Sequence, residues 1–126
     1  MKKIDLEIVL FSRFIGEEFR ATVSAYESPV PGLAVHHVWT KSNSQECLQK
    51  GRYWVVTHMQ SGCSIESRMI KNRFPRRSEA IEFAEWLGTL LDWTLDEDRL
   101  AKLFKSVDIE EAMQAKAREI MQKGAK

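Results

Sequence analysis

A chain of 126 residues, 44% of them apolar and including four Trp and six Phe, can enclose one sizeable core and is expected to form a single domain over residues 1–126. Two cysteines, Cys47 and Cys63, are too few for the disulfide framework of a small secreted domain. Asp5 and Glu7 interrupt the residues where a signal-peptide core would lie, and no apolar run reaches the roughly 18 residues of a membrane span, so a soluble, cytoplasmic protein is expected. The net charge of +1 conceals a segmental bias: residues 41–77 carry eight bases against two acids, whereas residues 78–126 carry seven against eleven.

In chain order, Ile4, Leu6, Ile8 and Leu10 alternate with Asp5, Glu7 and Val9, the period-two mark of a strand with one buried face, which predicts strand 3–14. Gly16 breaks the run. Phe19, Ala21, Val23 and Ala25 then alternate with polar residues, which predicts strand 18–27 paired with the first as a hairpin. Ser28-Pro29-Val30-Pro31-Gly32 is a turn, because proline cannot donate to a ladder and glycine permits positive φ. Strand 33–40 follows, and the polar residues 41–51 read as a long irregular connection.

Residues 52–60, rich in aromatic and β-branched side chains, and residues 63–71 predict a second hairpin around Ser61-Gly62. Pro75 ends the sheet part, taken as residues 1–72. Ser78 reads as the N-cap of a packing helix over 78–93, with Glu79 and Glu82 in its first turn. Its stripe of Ile81, Ala84, Leu87 and Leu91 faces the sheet. Phe83, Trp86, Leu90 and Trp93 widen the apolar surface beyond what the sheet needs, which predicts a homodimer buried on these four side chains. Thr94 to Glu97 reads as a capping box opening a short helix to Phe104, and a third helix is expected from Asp108, with Glu111 at its third position, to Gly124. The predicted class is therefore α+β: a curved antiparallel sheet of about five strands followed by helices, with a cystatin-like wrapped sheet as the alternative architecture.

No motif forces a catalytic reading. His36, His37 and His58 fall short of a metal set, because neighbouring strand residues point to opposite faces and no Asp, Glu or Cys completes the ligands. Cys63 near His58 lacks the charged neighbours that activate a thiol. No catalytic residue, metal or cofactor is therefore assigned. The positive signal lies in the basic middle of the chain. Arg68 to Arg77 contains five bases and no acid, and Arg52, Tyr53 and Trp54 lie on a neighbouring predicted strand, with Trp39 on the next. Cations that track phosphates beside aromatic faces that stack on bases are how single-stranded nucleic acid is held. Arg52, Arg68, Lys71, Arg73, Arg76 and Arg77 are the candidate phosphate contacts, and Tyr53 or Trp54 the candidate stacking residue. The alternative is a protein-interaction or structural subunit that binds a protein partner through the acidic segment 79–98 or through exposed aromatic side chains.

Tyr53-Trp54-Val55-Val56-Thr57-His58, Ser61-Gly62, and Phe74-Pro75-Arg76-Arg77-Ser78-Glu79-Ala80 leading into Phe83-Ala84-Glu85-Trp86-Leu87 resemble a group of small cyanobacterial proteins. Those proteins share the fold of single-stranded-DNA-binding transcriptional regulators of the Whirly and positive-cofactor type. The resemblance implies a curved antiparallel sheet followed by a helix, association of subunits through helices, and single-stranded DNA laid along the sheet. The basic sheet-face motif of Whirly proteins and the Lys-rich strands of the positive cofactor are absent from this sequence.

Overall fold

The structure, a computed structural model, describes residues 2–12, 17–41, 48–65, 73–96, 98–99 and 109–124. The chain is α+β, with β1 (Lys3–Ser12), β2 (Glu17–Glu27), β3 (Leu33–Lys41), β4 (Leu48–His58), α1 (Arg77–Gly88) and α2 (Ile109–Gly124). The strands form one antiparallel sheet in the order β1-β2-β3-β4. Alternation sets the first hairpin as expected: Leu6 faces Val23 across β1 and β2, Ile8 faces Ala21, and Leu6, Ile8, Val23 and Ala25 are buried. β2 and β3 share only the pairs Tyr26–Val35 and Glu27–Ala34, after which the two hairpins diverge.

Two apolar clusters follow from that divergence. On one face of β3–β4, Leu33, Val35 and Val56 meet Phe74, Ala80, Phe83, Ala84 and Leu87, with Trp93 and the α2 residues Met113, Ala117 and Ile120. Ala34, on the opposite face, joins Leu6, Ile8, Val23 and Ala25. The β1–β2 hairpin thus covers one side of the second hairpin and the helices cover the other. The Val9 N–H donates to the Gly62 carbonyl at 2.9 Å, so the sheet curls until its first strand meets the turn after its last. A polar seam runs through the hairpin side. His36 Nδ1 must donate to the His37 carbonyl at 2.6 Å, which leaves Nε2 to meet the Thr57 hydroxyl at 2.6 Å, with both side chains buried.

Several boundaries differ from those read in the sequence. β4 begins at Leu48, not at Arg52. Gly51 is not a breaker but part of a register shift between His37 and Trp39, where a Cβ would lie 3.0 Å from the Val38 carbonyl oxygen. The described residues make four strands and not five. Where a strand 63–71 was expected, Ser64 bridges Thr57 and Phe74 bridges Trp54, and residues 66–72 lie outside the described residues. Helix α1 starts at Arg77, with Arg76 at its N-cap in extended backbone and no side chain capping it, so Ser78 sits inside the first turn. It ends at Gly88, five residues before the expected Trp93. The Thr89 hydroxyl donates to the Trp86 carbonyl at 2.6 Å and the Trp93 indole N–H to the Leu87 carbonyl at 2.8 Å, so the terminal carbonyls find partners in a chain that has already turned back. After α1, Asp92 accepts from Thr94 and Asp96 accepts from the Arg99 N–H at 2.9 Å; Glu97, the acidic member of the expected capping box, lies outside the described residues, as do Phe104 and Asp108.

α2 packs across α1 through Met113, Ala117 and Ile120, and Lys123 pairs with Glu82 at 2.6 Å. No helix among the described residues is long and apolar enough to cross a membrane.

Gly32, at φ +92°, is the point where three parts of the chain meet. Its carbonyl accepts from the Met59 N–H at 2.9 Å, and a Cβ there would collide with the Trp93 carbonyl. Gly32→Ala is expected to destabilise the protein by more than about 1 kcal/mol, since it adds strain to a backbone clash. Trp93→Phe removes the indole donor to the Leu87 carbonyl, which still accepts from the Leu90 N–H at 3.0 Å, and for the lost hydrogen bond should cost about 0.5–1.5 kcal/mol in urea unfolding. Wild-type midpoints for both variants would contradict this account of the core.

Candidate nucleic-acid interface

The decisive contact is made by main chain. Trp54 N–H donates to the Phe74 carbonyl at 2.7 Å and Phe74 N–H to the Trp54 carbonyl at 2.8 Å, on the edge of β4 away from β3. Phe74 thereby drops fully into the core against Phe83, at 5.2 Å between ring centroids, and the basic segment around it is pinned beside β4. Two groups of bases far apart in sequence are thereby brought to one part of the fold: Lys50 and Arg52 on β4 itself, and Arg73, Arg76 and Arg77 on the segment bridged to it. Lys50, Arg52, Arg76 and Arg77 are exposed, and the Arg76 side chain retains 69% of its accessible surface although it stands 4.0 Å from Glu79. Arg73 is half-buried and already engaged in a contact. Arg68 and Lys71 lie outside the described residues.

Between the two basic groups runs a row of rings. His37 and Trp54 are opposite each other across β3 and β4, with ring centroids 3.8 Å apart, and Trp54 lies 6.2 Å from Tyr26 of β2. The Arg77 guanidinium covers the outer end of the row, 4.8 Å from the Tyr26 centroid. Trp54 is therefore half-buried between neighbours, and it packs on the core beneath the helices. Tyr53 is different. Strand alternation turns it to the opposite face, where it is 39% exposed with Arg52 5.3 Å from its ring centroid. Of the two stacking candidates, Tyr53 presents a free ring surface and Trp54 builds the platform. Trp39, the third aromatic considered, packs against the β1–β2 cluster instead, and its indole N–H is buried with no partner among the described residues.

Tyr26 was not singled out in the sequence, His37 was weighed there only as a metal ligand, and Lys50 fell in the expected 41–51 connection. His37 is the unusual member. Its Nδ1 is buried with no partner among the described residues, and its pKa is lowered from 6.5, first by burial and then by the positive charge of Lys50, against a raising contribution from the Gly51 main chain.

The four side chains assigned to a homodimer contact divide. Phe83 and Trp93 are buried in this chain's own core and have no surface left for a partner; Trp86 is half-buried against that core, and Leu90 is 39% exposed. The sequence reading counted α1 as apolar on too many sides because it did not foresee that α2 and the returning Trp93 would cover them.

His58 pairs not with Cys63 but with Ser61. Its Nε2 donates to the Leu95 carbonyl at 3.0 Å, which leaves Nδ1 to accept from the Ser61 hydroxyl at 2.8 Å. Ser61 Oγ in turn accepts from the Cys63 N–H at 3.2 Å, and the Gly62 N–H is bonded to the His58 carbonyl at 2.8 Å. The Gly62 and Cys63 N–H groups are both committed to the turn, and the trio ties the end of β4 to the segment after α1. Among the described residues no three His, Cys, Asp or Glu side chains are placed to hold a metal ion.

No family model, curated protein or solved structure matches this chain.

Because the folded state holds His37 below its ordinary value, the unfolded chain binds the extra proton more readily. The sign follows directly: the contribution to stability is complete above pH 6.5, is lost as pH falls through that value, and levels off below the folded-state value. Urea midpoints measured between about pH 8 and about pH 5 should show that decline, and His37→Gln should lose its share of it. Identical profiles for wild type and variant would contradict the assignment.

Proposed function

We propose that this chain is a non-enzymatic binding module for single-stranded nucleic acid. The observation that carries the reading is the Trp54–Phe74 main-chain pair, which holds the segment of Arg76 and Arg77 alongside β4, the strand that itself carries Lys50 and Arg52. Exposed cations spaced around a strand offer successive phosphates of a flexible backbone their countercharges, and an exposed ring beside them gives any base a face to stack on. Arg52, Arg76 and Arg77 serve as phosphate contacts, Tyr53 as the stacking residue, and the Tyr26–Trp54–His37 row as the rigid support that spaces them. Arg77 has a double part, since the guanidinium that covers Tyr26 is held in one place, and a cation held in place loses less freedom on binding.

The alternative, a protein partner gripped by the acidic segment, is less favoured by the local geometry. Glu79 stands by Arg76, Glu82 is paired with Lys123, Asp92 holds Thr94 and Asp96 caps the turn at Arg99. Acids already engaged within the chain have less to give to a basic partner.

Fluorescence anisotropy with a labelled single-stranded oligothymidine tests the proposal. Log affinity should fall with log salt by about 0.7 for each phosphate neutralised. Replacing Arg52, Arg76 and Arg77 by Ala together should flatten that slope by about two units, whereas Tyr53→Ala should weaken binding by about 1–3 kcal/mol and leave the slope in place. Absence of binding at low salt would overturn the reading in favour of a protein partner.

A further inference from the structure

We propose that His37 is a proton-linked element of this surface, so that a bound phosphodiester strand draws a proton onto its imidazole and affinity for single strands rises as pH falls. The inference rests on the nucleic-acid reading above and names a regulation of that same site.

The geometry supplies both halves of a linkage. In the free chain the imidazole is disfavoured as a cation: its Nδ1 is buried and has no acceptor among the described residues, and Lys50 of β4 is the charge that acts on it. Among the described residues, the groups packed around it add no negative charge. β4 contributes Lys50, the Gly51 main chain and the Trp54 ring at 3.8 Å; β2 contributes Tyr26 beyond Trp54; and α1 contributes Arg77, set over Tyr26. On its own strand His36 points to the other face and takes part only by donating to the His37 carbonyl at 2.6 Å.

A phosphate engaged by Lys50 and Arg52 reverses this balance. It offsets the repulsion from Lys50 and supplies a negative charge within a few ångströms, where such a charge favours the protonated imidazole. The Trp54 ring, tilted by 36° with its centroid 3.8 Å from that of His37, is in place in the free chain and can accommodate the cation once the phosphate favours it. The proton is therefore taken up in the window between the lowered value of the free chain and the higher value of the complex, and binding tightens as pH falls through that window. The buried position of Nδ1 makes this indirect: His37 does not have to touch the ligand to report its charge.

The test is oligothymidine binding at constant salt, measured with a pH-insensitive label at about pH 7.5 and about pH 5.5, on wild type and on His37→Gln. Each unit by which the bound strand raises the His37 value should tighten wild-type binding by up to about tenfold, the full factor being reached where pH lies below the free-chain value. The ratio of affinities at the two pH values should be smaller for His37→Gln, in which any contribution of His36 and His58 remains. As a measurement independent of the variant's folding, the ring-proton resonance of His37 in the wild-type chain should titrate at a higher pH with the oligonucleotide bound than without it. Equal affinity ratios for wild type and variant, or a His37 titration unmoved by bound oligonucleotide, would overturn the linkage and leave the nucleic-acid reading standing. No binding at either pH would overturn the nucleic-acid reading and this inference with it.

Discussion

Two main-chain hydrogen bonds between Trp54 and Phe74 organise much of this molecule. They continue the ladder of β4 on the side that β3 leaves free, and in doing so they fix where Phe74 enters the core, where α1 can begin three residues later, and where the arginines that flank Phe74 must stand. The bond to backbone is indifferent to side chain, so it can seat an aromatic inward and let charged neighbours remain outside. A surface built in this way draws its position from the sheet's own hydrogen bonding, and its cations do not need ion pairs to hold them in place.

The second consequence is a core with two faces and different chemistry on each. Beneath the helices the β3–β4 hairpin is packed with large apolar side chains, whereas on the β1–β2 side it carries the buried pair His36 and Thr57 among small residues such as Ala25 and Ala34. Buried polar groups that are fully paired reward one register over others, because a slip by one residue would both break the bond and move His36 to the wrong face. The shallow join between β2 and β3, only two residue pairs wide, makes that register control useful.

Much of the fold was legible because period-two alternation is a direct record of which side of a strand is buried: the β1–β2 hairpin and β3 follow from it closely. The errors have identifiable physical origins. Gly51 looks like a breaker in one dimension and is a close approach between two strands in three. Trp93 continues the apolar run of α1, yet its indole N–H is used to end that helix. At the site, the bases Arg52, Arg76 and Arg77 were visible as a composition bias, but their convergence depends on a non-local bridge that no local pattern encodes. The alternation that separates His36 from His37 also separates Tyr53 from Trp54, and only the structure shows which of the latter faces out. Tyr26 and His37 enter the row through strand pairing and ring packing, which spacing along the chain does not reveal.

The bond from Val9 to the Gly62 carbonyl bears on how this protein avoids its own kind. A four-stranded open sheet has two edges, and unpaired edges are templates on which another chain can add a strand and start an aggregate. Here the turn after β4 folds back onto β1 near its middle, and Ser64 and Phe74 occupy the outer edge of β4. With both borders shut by short pieces of the same chain, growth of the sheet from molecule to molecule is blocked at those points. A partner strand that paired at those points would have to displace one of these small closures first.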